Sequence, residues 1–138
     1  MTDRLDWKLA VGVRDDLATW QKLNVTAFVV SGIGYTFPDL VGENYVDGSG
    51  QTYLPKLGLP ILVYSGDQAG IRRSFDRALS RELALSVYTD ELFATRNDVE
   101  NRAAVAAVPT EALAIAGFGV AGNAKQVDKV FDKLAFHP

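Results

Sequence analysis

Lys22 and Asp90 are the side chains in this sequence best suited to chemistry. A carboxylate can orient a water molecule and take its proton, and an ammonium group can stabilise an oxyanion as it develops. Spacing alone leaves the two as ordinary solvated charges. They form a site only if the fold carries both to one rim. Asp15, Asp16 and Asp90 could together offer oxygen ligands to Mg²⁺, but helix capping and solvation account for the same carboxylates, and no metal is expected. Gly117-Phe118-Gly119-Val120-Ala121-Gly122 spells G-x-G-x-x-G between a strand and a helix. The dinucleotide fingerprint also needs a further strand and an acidic residue about 20 positions on, and the sequence reaches Pro138 soon after the helix. A nicotinamide or flavin site is therefore not expected, nor any other cofactor. The glycines fit tight strand-to-helix packing, while the free N–H groups near Gly119, Gly122 and Asn123 could hold a phosphate or carboxylate. His137 is the sole histidine. Beside the last residue it is expected to fray, which disfavours a Ser-His-Asp mechanism.

These residues must be positioned by regular elements. Lys8–Arg14, Leu59–Tyr64, Ala84–Thr89 and Leu113–Val120 read as buried strands, being short, apolar and β-branched. Helices are predicted from Leu17 to about Tyr35, from Gln68 to Leu83, from Asp90 to Ala107 with a break near Thr95-Arg96-Asn97, and from Asn123 to Leu134. Asp16 or Thr19 would cap the first helix and Asp98 the third after its break. Trp20, Leu23, Ala27, Phe28 and Val30 recur at helical intervals, so the first helix is expected to be buried on most sides. Asn44–Val46 and Gln51–Leu54 flank Asp47-Gly48-Ser49-Gly50, a hairpin signal. Arg73, Arg77 and Arg81, like Lys125, Lys129 and Lys133, fall on outer helix faces and read as solvated charge.

Strands alternating with helices favour a three-layer α/β/α fold, with a mixed, largely parallel sheet of about four core strands and one inserted hairpin. In such sheets ligands gather outside the carboxyl ends of the strands. That rule selects Arg14-Asp15-Asp16, Ser65-Gly66-Asp67, Thr89-Asp90-Glu91 and the turn from Gly119 to Asn123. Length and composition agree with one domain over residues 1–138. Apolar residues make up 48% of the 138, net charge is −3 and cysteine is absent. Those values exclude a disordered chain, disulfides and a cysteine nucleophile. No apolar run approaches the roughly 20 residues of a membrane span, and the charged N-terminus is unlike a signal peptide, so a cytoplasmic protein is expected. The acidic balance disfavours broad nucleic-acid binding, tRNA included.

The segment Leu9-Ala10-Val11-Gly12-Val13-Arg14-Asp15-Asp16-Leu17, followed by Lys22, resembles the opening of type-2 peptidyl-tRNA hydrolases. There an apolar strand, an Arg and an Asp-Leu pair precede a helix with a functional lysine. Leu83 to Asp90 resembles that family's third strand with its terminal functional aspartate. Gly117-Phe118-Gly119 through Val127-Asp128-Lys129-Val130 resembles its closing glycine turn and helix. The whole pattern is more closely similar to an uncharacterised family, domain of unknown function two thousand, through Pro38-Asp39-Leu40-Val41-Gly42, Asp47 with the Gly50 turn, and Leu59-Pro60. The resemblance implies a peptidyl-tRNA hydrolase II-like fold and allows a homodimer. Activity carries over less far. Ala18-Thr19-Trp20-Gln21 replaces the glycine- and lysine-rich approach to Lys22, and Glu91-Leu92-Phe93 follows Asp90 where a glycine turn is expected.

The reading is thus of a protein with a small-molecule or anion site at a rim formed by Lys22, Asp90, Asp16, Gly119, Gly122 and Asn123. One alternative is a metal-independent hydrolase of an acyl-nucleotide ester such as peptidyl-tRNA, using Asp90 and Lys22. Another is a non-catalytic homodimeric or partner-binding module using the hairpin and the apolar helix surface.

Overall fold

The computed structural model describes residues 6–138. Seven strands and four helices follow one another as β1 (Trp7–Arg14), α1 (Thr19–Thr36), β2 (Tyr45–Val46), β3 (Thr52–Tyr53), β4 (Ile61–Gly66), α2 (Gln68–Ser80), β5 (Ala84–Thr89), α3 (Asp98–Ala106), β6 (Ile115–Asn123), α4 (Ala124–Val130) and β7 (Ala135–Phe136). A five-stranded sheet has the order β5-β6-β1-β4-β7, and β2 and β3 form a separate hairpin. The expected alternation of strands and helices is present. The expected largely parallel pairing is not.

Only β1 and β4 pair in parallel, while β6 runs antiparallel to both β1 and β5, and β7 runs antiparallel to β4. Strands β1, β4 and β5 still point the same way, so Arg14, Gly66 and Thr89 end on one rim. Strand β6 enters at that rim and leaves at the other. Trp7, at the start of β1, pairs with Asn123, and Lys8 pairs with Gly122.

Two cores flank the sheet. One packs Val25, Val29 and Ile33 of α1 against Leu9, Val11, Val13, Tyr88 and Ala116. The other packs Ile71, Phe75 and Ala78 of α2 and Val127, Val130 and Phe131 beside α4 against Ala10, Phe118 and Val120. The i, i+4, i+8 spacing of Val25, Val29 and Ile33 lays one stripe of α1 on the sheet. The rest of that helix is not covered as its composition suggests: Trp20, Leu23, Phe28 and Tyr35 are all exposed. A helix in an outer layer has a sheet beneath it and nothing above.

Local hydrogen bonds set the helix starts. Neither Asp16 nor Thr19 caps α1. The Ala18 N–H donates to Gln21 Oε1 at 2.9 Å, and Asp16 instead accepts from Arg14. Asp67 caps α2 by accepting from the Gly70 N–H, and Asn97, not Asp98, caps α3 by accepting from the Glu100 N–H. Of the arginines read as solvated charge, Arg77 in α2 and Arg81 just after it do more than face solvent. Arg77 donates to the Asp132 carbonyl and Arg81 to Gln126, which ties α2 to α4 and its following turn.

Ser74 and Thr89 are fully buried with side-chain hydroxyls that have no hydrogen-bond partner among the described residues. An unpaired buried hydroxyl carries a desolvation cost of about 1–3 kcal/mol. Ser74 lies on the sheet-facing side of α2, where alanine also has the better helix propensity. Ser74→Ala is therefore expected to raise stability by about 1 kcal/mol, measured as a higher urea midpoint at unchanged slope.

Candidate functional site

The rim is built around Arg14. The β1 register turns its side chain to the α2 face of the sheet, where it is 8% exposed. Its Nη1 donates to both carboxylate oxygens of Asp90 at 2.8 and 2.9 Å, and its Nε donates to Asp16 Oδ1 at 2.9 Å. Asp90 follows the last residue of β5 and opens a short 3-10 turn, Asp90–Ala94. The Asp90 N–H donates to the Ala114 carbonyl at 3.0 Å, so its backbone is held from the β6 side. A guanidinium with most of its surface removed from water needs its charge matched, and two carboxylates do so.

Electrostatics follow the same contacts. Burial works against the Arg14 charge, but the hydrogen bonds it donates to Asp16 and Asp90 more than offset it and hold its pKa above the ordinary value. The Asp16 carboxyl is held below its ordinary range, chiefly by the Arg14 hydrogen bond and in lesser part by the charges of Arg14 and Lys22.

Lys22 comes to this rim from the first turns of α1, on the side facing β4 and β7. Its Nζ lies 3.3 Å from His137 Nε2. The His137 N–H donates to the Val63 carbonyl at 2.9 Å, which extends β7 along β4 and seats the imidazole. His137 Nδ1 lies 2.9 Å from the Pro138 carbonyl oxygen. That oxygen can only accept, so the geometry selects the tautomer with the proton on Nδ1. Nε2 is then free to accept from the Lys22 ammonium. Lys22 makes no ion pair among the described residues.

Lys22, Asp16 and Asp90 thus share one rim, with Arg14 joining the two carboxylates. Lys22 and Asp90 do not touch. Gly119, Gly122 and Asn123 lie elsewhere, because β6 runs antiparallel. Gly119 pairs with Val11 in mid-sheet, and Gly122 and Asn123 lie at the opposite rim. Asn123 caps α4 by accepting from the Lys125 N–H and donates to Asp6. A Cβ on Gly117 would stand 2.6 Å from Val25 Cγ1, and one on Gly119 would stand 3.1 Å from Ile33 Cδ1 and 3.2 Å from Val29 Cγ2. Those two glycines admit α1 to the sheet.

Sequence reasoning left out Arg14 as the partner of Asp90, and it expected His137 to fray, whereas the bond of its N–H to the Val63 carbonyl docks it beside Lys22. The Arg ending an apolar strand was the available signal for the first. His137 had no such signal, since the strand that docks it is two residues long. Asp15, Asp16 and Asp90 do not converge on a cation, because Arg14 takes two of them. Among the described residues no group of three or more His, Asp or Glu side chains is placed to hold a metal. No helix among them is long and apolar enough to cross a membrane.

Fold and rim together define an α/β protein with a mixed sheet and a compact charged cluster at the shared ends of β1, β4 and β5. The chain belongs to the family described as protein of unknown function (DUF2000), which it matches over residues 7–138. It is similar to a solved structure of a protein of unknown function from Agrobacterium tumefaciens strain C58. That likeness has 40% identity and a TM-score of 0.93, covering 96% of this chain and 98% of the other. No curated protein matches it.

Proposed function

We propose that the rim binds a small anionic ligand, a carboxylate or a phosphate ester, with Lys22 as its cationic anchor. The observation that carries this reading is the state of Lys22. Its neighbour is the His137 ring nitrogen rather than a carboxylate, while Asp16 and Asp90 are both engaged by Arg14. The cluster therefore offers one ammonium with spare donors. It stands at the strand ends where α/β sheets collect ligands.

The scaffold we infer for this site is the peptidyl-tRNA hydrolase II-like one, in a cytoplasmic protein. The reading is supported by Arg14, Asp16 and Lys22 around the end of β1 and by Asp90 after β5. A hydrolytic reading draws on the same rim, with Asp90 orienting water and Lys22 facing the oxyanion. It requires Arg14 to yield part of its hold on Asp90, since Nη1 now occupies both carboxylate oxygens.

Amide chemical shifts followed during titration with inorganic phosphate, and separately acetate, test the first reading. Saturable shifts at Arg14, Asp16, Lys22 and His137 are expected. Lys22→Ala should weaken binding on the order of ten-fold or more, the worth of a charge-assisted hydrogen bond. Absence of saturation with either anion would remove the proposal. Cleavage of an N-blocked aminoacyl-tRNA by the wild type, lost in both Lys22→Ala and Asp90→Asn, would put the hydrolytic reading in its place.

A further inference from the structure

We infer that the cleft between α1, β5 and α3 is a second binding site, one that takes an uncharged planar heteroaromatic ring. Two contiguous hollows of ≈ 330 and ≈ 600 Å³ meet there and share Phe28, Tyr88, Leu92, Asp98 and Asn101. Their size is that of a small-molecule site.

Four aromatic rings form a continuous wall. Centroid distances are 5.8 Å from Phe28 to Tyr88, 5.0 Å from Tyr88 to Phe93 and 6.0 Å from Phe93 to Trp20. Trp20 and Phe28 keep 60% and 53% of their surface exposed, so the wall has open faces left for stacking. Aromatic faces attract another flat ring whatever its identity.

Tyr88 supplies the polar anchor. It is only 6% exposed, lines both hollows, and its hydroxyl has no hydrogen-bond partner among the described residues. Burial raises its pKa, which keeps the phenol protonated and able to donate. Among the described residues the buried hydroxyls without a partner are those of Ser74 and Thr89, so the Tyr88 hydroxyl is reached from the cleft, where a ligand nitrogen or oxygen can accept its hydrogen bond. The Asn101 amide pairs with the Thr95 hydroxyl through one of its two ends and leaves the other to the cleft, and the Asn24 amide has no protein partner among the described residues. The cleft thus presents ring faces together with donors and acceptors for a ring edge.

Charge decides the class. Arg96 pairs with Glu100 and Arg102 with Asp98, so the cations nearest the cleft are neutralised on their own helix or next to it. An anion gains nothing here that it would not gain better beside Lys22. A purely aliphatic ligand would leave Tyr88 and the amides unpaired. This inference uses other residues than the anion site and does not depend on it.

The test is fluorescence titration in a Trp7→Phe background, where Trp20 is the only tryptophan, with adenosine as an uncharged purine probe and ribose as control. Adenosine is expected to quench saturably and ribose not at all. Tyr88→Phe, which keeps the ring and its packing, should weaken adenosine about five-fold by removing one neutral hydrogen bond. Trp20→Ala, followed by amide shifts, should weaken it about ten-fold through lost stacking, and Lys22→Ala should leave it unchanged. No saturable response to adenosine, or equal affinity in Tyr88→Phe, would overturn the inference. So would Trp20 emission that tracks protein concentration alongside a sedimenting dimer abolished by Leu23→Glu, since that result gives the wall to a second copy of the chain.

Discussion

Gly117→Ala is expected to cost about 3 kcal/mol or more, at the upper end of what overpacking a core costs, and to lower the melting temperature by roughly 10 °C. The added methyl would lie 2.6 Å from Val25 Cγ1 and 2.8 Å from the Gly12 carbonyl oxygen. The first contact could be relieved by moving a side chain. The second is with backbone of the adjacent strand, and relieving it means parting β1 from β6. Gly117 has no positive φ, so the loss would come from space and not from backbone strain. Gly48→Ala is the control. Its Cβ would meet nothing within 4 Å in the hairpin turn, so its change should stay within about 0.5 kcal/mol. Thermal unfolding followed by circular dichroism separates the two. Equal melting temperatures for both variants would refute the packing role of Gly117. In the double variant Val25→Ala with Gly117→Ala, only part of the loss should return, because the backbone contact survives.

That result bears on how the sequence is to be read. Gly117-x-Gly119-x-x-Gly122 spells a phosphate-binding pattern, yet its first two glycines serve the approach of α1 to β6. The third has its own packing reason, since a Cβ on Gly122 would stand 2.9 Å from Leu83 Cδ2. A short glycine pattern records that something comes close to the backbone. It does not say whether the visitor is a helix or a phosphate.

The elements themselves were legible because apolar periodicity is a local property. The spans of β1, β5 and α2, and the break before α3 at Thr95-Arg96-Asn97, follow from it within a residue or a few. Strand direction was not legible. Strand β6 is buried on both faces from Ile115 to Gly122, and such a strand carries the same pattern whether it runs parallel or antiparallel. Its reversal moves Gly122 and Asn123 to the far rim, and no residue in β6 announces it. Lys22 and Asp90 were found by type and by strand-end position, which β1 and β5 do share. Their connector Arg14 and the docked His137 depend on pairings across 76 and 115 residues. Exposure on α1 misled for a different reason. Trp20, Phe28 and Tyr35 have core-type side chains, and composition cannot tell a helix buried all round from one whose outer face has another use.

Asp90→Ala should lower stability by about 2–3 kcal/mol, while Lys22→Ala should leave it nearly unchanged. Arg14 is largely out of water, and removing one of its two carboxylates leaves part of a buried charge unmatched. The remaining partners, Asp16 and the Ile115 carbonyl at 3.4 Å, cannot supply the two bonds lost. Solvent reaches Asp90, whose side chain is 41% exposed, and holds the cost below the roughly 3–5 kcal/mol of a fully buried pair. Arg14→Met combined with Asp90→Ala should cost less than the sum of the single changes, since neither charge is then orphaned. The same network sets an acid limit. The Asp16 carboxyl titrates below its ordinary value in the folded protein, so the unfolded chain binds its proton first as pH falls. Its stabilising contribution is full above about pH 4 and disappears as pH drops through the lowered folded value. Replacing Asp16 by Asn should therefore flatten the loss of stability below about pH 4. Urea titrations of these variants, with Arg14→Met alone completing the cycle, at pH 7 and pH 3 measure both effects. Additive costs for Arg14 and Asp90 would show that their contact does not bear on stability, and a Lys22→Ala variant as unstable as Asp90→Ala would make the lysine a part of the scaffold. If the two separate as expected, Arg14 with its carboxylates is the support of the rim, and Lys22 is the group left free to meet a ligand.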